Sequence, residues 1–125
     1  MNHSDNPPDD AIVDVRNAQM PSRLVLVCEH ASAHIPSEFA NLGLREDALK
    51  SHVAWDPGAL AVAEAMAERL DATLVAAKTS RLVYDCNRPP AAPDAMPARS
   101  EIVEVPGNAR LTAKQKAARV QMYYE

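Results

Sequence analysis

Large aromatic side chains are scarce in this sequence: one Trp, three Tyr and one Phe amount to 4% of 125 residues. Aromatic rings bury the most area per residue, so a core short of them gains little at about 25 cal/mol per Å² of apolar surface. A single small domain of modest stability is expected. Basic clusters are also missing. The formal net charge is −4, which argues against nucleic acid as a partner, because phosphate binding needs grouped Lys and Arg. No block of like charge suggests a patch for a membrane surface. No apolar run approaches the roughly 18 residues of a membrane span, and residues 1–22 hold no apolar leader core. Only two cysteines occur, 58 positions apart at Cys28 and Cys86. Without a leader they read as reduced thiols, so a soluble cytoplasmic protein is the default expectation. Internal repeats are absent, and the only compositional bias is a proline cluster.

Residues 1–22 are polar and acidic and are expected to form a disordered or loosely attached tail. Arg23 to Glu29 reads as a buried parallel strand, because its apolar run is continuous rather than alternating. Ala31 to Asn41 is expected as a loop pinned by Pro36, and Leu44 to His52 as a short helix. Asp56-Pro57 resembles a helix start, with Asp as N-cap and Pro at the first helical position. The helix would run to Leu70, with Val62, Met66 and Leu70 joining Ala59, Ala63 and Ala67 in one apolar stripe. Thr73 to Ala76 and Arg81 to Tyr84 are candidate strands. Residues 86–108 hold five of the ten prolines and predict an extended loop. Leu111 to Glu125 predicts a helix capped by Thr112, with no stop signal at its far end.

The chemistry centres on Cys28-Glu29-His30, where a strand delivers an acid and an imidazole at its carboxyl end. Ligands gather beyond such strand ends in open α/β sheets. His30 is a candidate metal ligand, and its bland alternative is a histidine bonded to a loop carbonyl. Glu29 is a candidate general base, although neighbours on a strand point to opposite faces. Asp56 serves as a candidate ligand or as a plain helix cap. Arg81, Asn87 and Arg88 form a second group suited to a carboxylate, which arginine grips with two parallel hydrogen bonds. The plain alternative is that Arg81 pairs with Asp85 or another acid and Arg88 caps a turn, and Asp85 is expected to orient arginines rather than react. His34 and His52 read as surface or packing residues. Cys28 reads as a small core residue, with a thiol-dependent enzyme as the less favoured reading.

Val27-Cys28-Glu29-His30-Ala31-Ser32-Ala33-His34-Ile35-Pro36, His52-Val53-Ala54-Trp55-Asp56-Pro57-Gly58-Ala59, the Ser80 to Pro89 segment and Pro106-Gly107-Asn108 follow one another in an order and spacing that resemble the N-formylglutamate amidohydrolase family. The resemblance covers residues 23 to 125 as the amino-terminal half of such a domain. Family members are about twice as long, and their second half carries a histidine-serine motif and a late acidic motif that do not occur here. The resemblance implies a partial three-layer α/β/α sandwich with a mostly parallel sheet, similar to zinc-dependent exopeptidases and incomplete. It implies a divalent metal, zinc by preference, with His30 and Asp56 as ligands, Glu29 as catalytic acid or base, and Arg81, Asn87 and Arg88 as substrate binders. The implied reaction is hydrolysis of the formamide bond of N-formyl-L-glutamate, or of a similar N-acyl amino acid, to formate and L-glutamate in histidine degradation. The chain alone is expected to be inactive. The alternative is a non-catalytic module that binds a small acid or a partner, with self-association through an exposed sheet edge.

Overall fold

The computed structural model describes residues 12–19 and 22–124. Three strands form the main sheet: β1 (Val13–Arg16), β2 (Val25–Cys28) and β3 (Thr73–Ala77), in the order β1-β3-β2. β2 runs parallel to β3, with Leu26 opposite Leu74 and Cys28 opposite Ala76. β1 runs antiparallel to β3, with Val15 opposite Val75. The sheet is therefore mixed rather than mostly parallel. β1 falls within the stretch expected to be a loose tail, and this part of that expectation is corrected. Its residues Val13-Asp14-Val15-Arg16 alternate apolar and charged, the period of a half-buried strand. Residues 1–11, 20, 21 and 125 lie outside the described residues, and with them most of the expected tail and the last residue of the helix expected over 111–125.

Helix α2 (Ala59–Leu70) packs on one face of the sheet. Leu26, Cys28, Leu74 and Ala76 point into it, and Ala59, Leu60, Ala63 and Ala67 meet them. Arg16 reaches up from β1 to Glu64 at 2.6 Å. Alanines at the contact let the helix lie close to the strands. The apolar stripe expected of this helix is thus split, because Val62, Met66 and Leu70 point outward. The other face of the sheet carries Val15, Val25 and Val27, all exposed. β2 is accordingly buried on one face only, not on both as its continuous apolar run predicts.

The rest of the chain gathers beyond the carboxyl ends of β2 and β3. A 3-10 segment at Ser37–Gly43 precedes the one-turn helix α1 (Glu46–Leu49), in place of the longer helix expected over 44–52. Ile35, Leu42, Val53, Leu82, Val83 and Val105 form a second core there. Gly107 is needed in it: a Cβ at that position would lie 2.6 Å from Leu42 Cα. The loop over 86–108 contains a two-residue hairpin, β4 (Arg99–Ser100) with β5 (Val103–Glu104). Helix α3 (Ala113–Gln121) follows a capping box in which Thr112 and Gln115 bond each other's backbone N–H. Val120 of α3 and Tyr123 just beyond its end pack toward Tyr84, Ala95 and Met96. No helix among the described residues is long and apolar enough to cross a membrane.

Candidate functional site

His30 sits in the turn directly after β2, and its backbone carbonyl accepts from Asp56 N–H at 2.9 Å. That bond ties the end of the strand to the entrance of α2. Asp56 is not the N-cap expected of it. Gly58 takes that position in a left-handed conformation, φ 85°, and the Asp56 side chain is released toward His30. A left-handed residue there favours glycine, which has no Cβ to clash.

Arg81 to Tyr84, expected as a strand, is a turn. Its apolar residues are buried in the two cores beyond the strand ends rather than in a sheet. Ser80 closes it by donating from Oγ to Ala54 O at 2.7 Å and accepting from Leu82 N–H. The turn carbonyls find buried donors: Asn108 Nδ2 bonds Leu82 O at 2.8 Å and Arg119 Nη1 bonds Val83 O at 3.1 Å. Arg119 also donates to Asn108 Oδ1 and stacks 5.0 Å from the Phe39 ring centre. Burial pulls its pKa below the ordinary arginine value. This brace was not legible in the sequence, because Arg119 lies in a helix that reads as polar.

The turn delivers Asp85 to the centre of the site. Its side chain is 4% exposed and accepts from His30 Nε2 at 2.8 Å, Arg81 Nη2 at 3.2 Å and Asn87 N–H at 3.0 Å. Burial opposes its charge. The bonds from His30 and Asn87, with the charges of His30 and Arg81, outweigh that and hold its carboxyl below the usual carboxylate range. On the other side of the imidazole, His30 Nδ1 lies 3.1 Å from Asp56 Oδ2. Arg81 spans the two acids, with Nη1 on Asp56 Oδ1 at 3.2 Å. His30, Asp56, Arg81 and Asp85 are therefore one network. With Nε2–H given to Asp85, Nδ1 keeps a lone pair facing Asp56, whereas an imidazolium would donate to both acids.

Glu29 lines an open groove of about 600 Å³ with His30 and Asp56. Its side chain makes no hydrogen bond or ion pair among the described residues. Cys28 borders the same groove, but burial and the charges of Asp56 and Glu29 push its thiol up, which disfavours a nucleophilic thiolate. Arg88 and Asn87 lie to one side. Arg88 pairs with Asp94 at 2.9 Å, and Asn87 is exposed. Arg81, Arg88 and Arg99 share a cavity of about 250 Å³ with Asp85 and Asp94. His52 bonds exposed Glu101 at the surface. Among the described residues no three His, Cys, Asp or Glu side chains converge on one point that could hold a metal ion. The two aspartates take opposite nitrogens of His30, so they do not meet.

No curated protein matches the chain. Among solved structures, the gene product Atu2144 from Agrobacterium tumefaciens is similar, with a TM-score of 0.88 and 54% sequence identity. The match covers 90% of this chain and 44% of that one, so this chain spans less than half of its relative's length. A model of the N-formylglutamate amidohydrolase family matches residues 22–125. With five-sixths of its length under that match, and the Glu29-His30 strand end and the Asp56 helix entrance inside it, the chain belongs to the N-formylglutamate amidohydrolase family.

Proposed function

We propose that this chain contributes the Glu29-His30-Asp56 edge and the arginine pocket of a metal-dependent amidohydrolase acting on N-formyl-L-glutamate or a similar N-acyl amino acid. The observation that carries this reading is the two-sided hold on His30. Asp85 fixes Nε2, and Nδ1 faces the Asp56 carboxylate 3.1 Å away at the mouth of the groove. A carboxylate behind a histidine sets the tautomer and ring angle of a metal-ligating imidazole. His30 and Asp56 suit zinc, and the same donors accept cobalt or manganese. An open zinc site takes three protein ligands, and the third would come from outside the described residues. When bound, such an ion would polarise the formyl oxygen and acidify a water.

The chain's own residues have separate tasks in this reading. Glu29 would take a proton from the attacking water and return it to the amine nitrogen as the C–N bond breaks, leaving formate and L-glutamate. Arg81 and Arg88 would bind the substrate carboxylates, Arg88 by exchanging Asp94 for them, with Asn87 beside it. The larger architecture would be the three-layer α/β/α sandwich of zinc exopeptidases, of which this chain holds one helical layer and part of the sheet. A second reading rests on there being no third donor beside His30 and Asp56 among the described residues: the chain binds a small dicarboxylic acid through its arginines and turns nothing over.

Thermal unfolding with zinc, with N-formylglutamate and with both separates the two. On the first reading zinc alone raises the midpoint, by an amount that corresponds to about 2.7 kcal/mol at a hundredfold excess over Kd, and His30→Ala removes the shift. Stabilisation by N-formylglutamate without any response to zinc supports the second. A zinc shift that survives His30→Ala would sink the first.

A further inference from the structure

The charged lining of the 250 Å³ cavity beside the Asp85 turn consists of Arg81, Arg88 and Arg99 with Asp85, Asp94 and Glu101. Each of these acids already has a partner. Asp85 is held by His30, Arg81 and the Asn87 N–H, Asp94 by Arg88 at 2.9 Å, and Glu101 by His52 at 2.7 Å. Arg99 is left over. Its Nε donates to Glu101 O at 3.0 Å, but its one ion pair among the described residues, with Glu104, is 3.6 Å long. That is beyond a hydrogen bond, and both side chains are mostly exposed, so the pair contributes little. An arginine cannot shed its charge, so Arg99 brings a loosely answered cation to the cavity wall. The hairpin that carries it is tied to the site. Asn108 Nδ2 donates to Leu82 O in the Asp85 turn and to Pro97 O at the foot of the hairpin, both at 2.8 Å. Val105 N–H closes the hairpin on Ala98 O at 2.8 Å.

We infer that Arg99 is the specificity residue of this pocket and holds the side-chain carboxylate of a dicarboxylic N-acyl amino acid, while Arg88 and Arg81 meet its α-carboxylate. Resting on the proposed function, this assignment separates two carboxylates that the arginines would otherwise share. Their order follows from what each arginine touches. Arg81 bonds Asp56 and Asp85, the two partners of His30, so a carboxylate at Arg81 lies next to the reacting end. The α-carboxylate belongs there, because it shares its carbon with the amide nitrogen. Arg99 bonds only within its hairpin, which suits the carboxylate at the far end of the side chain. A guanidinium grips a carboxylate with two parallel N–H bonds, and neither Nη of Arg99 is hydrogen-bonded among the described residues. Drug-sized ligands occupy pockets of roughly 300–1,000 Å³. At about 250 Å³ this cavity suits a short acidic arm.

The test titrates the chain, without metal, with N-formyl-L-glutamate and with N-formyl-L-glutamine, in which an amide of the same shape replaces the side-chain carboxylate. Calorimetry should show the acid bound about tenfold more tightly than the amide, the worth of one bond to a charged group. Arg99→Met should erase that preference by weakening the acid alone, whereas Arg88→Met should weaken both ligands alike. Arg99→Lys keeps the charge but not the fork, and should restore part of the preference. If Arg99→Met fails to fold, Arg99→Gln, with a long polar side chain, takes its place. Equal affinity of the unaltered chain for the two ligands, or a preference that survives loss of the Arg99 charge, overturns the inference and leaves the proposed function standing. Binding of neither ligand overturns both. A missing zinc response beside an Arg99-dependent preference overturns the metal-dependent reading alone and supports the inference.

Discussion

A buried carboxylate survives only when its lone pairs are answered, and Asp85 is answered by His30, Arg81 and the Asn87 N–H at once. Replacing it by Asn keeps the shape but withdraws the charge that holds Arg81 and accepts from His30, a loss of about 1–3 kcal/mol at neutral pH. The sign with pH follows from its depressed pKa. The unfolded chain protonates this acid near about pH 4 and the folded chain only below that, so the stabilisation is complete above about pH 4 and fades as pH falls through the lower, folded value. Denaturant unfolding of the wild type and Asp85→Asn across that range should show the gap between them closing in acid. A gap that stays constant would mean that the charge of Asp85 is not what stabilises. At this scale the sequence was partly legible. The Glu29-His30 pair and Asp56 were identifiable from their place at a strand end and a helix entrance. That Asp85 fixes the histidine, with Arg81 bridging both acids, depends on a turn whose apolar residues look the same whether they are buried in a sheet or in a loop core.

Elements with a local cause were read well, and those with a tertiary cause were not. β3 and α3 carry their own signals, an apolar run with β-branched Thr73 and Val75 and a capping box. The Arg81–Tyr84 turn and the inward face of α2 are decided by what lies next to them in space. Alanine is ambiguous in a helical stripe. In α2 it marks the close contact with the sheet, while the larger Val62, Met66 and Leu70 face away. Helix α3 gives a direct check on the local part. Thr112 Oγ1 accepts from Gln115 N–H at 3.1 Å, and Thr112 N–H donates to Gln115 Oε1 at 2.8 Å. Thr112→Ala should therefore cost about 1 kcal/mol in urea unfolding. Since Arg119 of the same helix holds the Val83 carbonyl, amide exchange around Arg81–Asp85 should quicken with it. An unchanged midpoint would show that the helix is held by packing alone.

The molecule as a whole is organised by an asymmetry that composition could not reveal: one face of the main sheet is a core and the other is a surface. Leu74 and Ala76 on the α2 side are fully or almost fully buried, while Val15, Val25 and Val27 on the opposite side stand open. A continuous apolar strand predicts burial on both faces because natural parallel strands are usually covered twice. That rule assumes a complete set of layers, and here α2 covers one side only. The two faces should consequently respond differently to substitution in the isolated chain. Leu74→Ala removes buried volume from a site with little room to collapse and should cost about 2–5 kcal/mol. Val27→Thr exchanges an exposed methyl for a hydroxyl in a residue that still favours a strand, and should change stability by no more than about 0.5 kcal/mol. Urea midpoints of the two variants, taken with unchanged slopes, measure the contrast. A Val27→Thr penalty as large as that of Leu74→Ala would mean that the second face is covered in solution by the chain's own residues or by a second copy, and a dependence of the midpoint on protein concentration tells these apart.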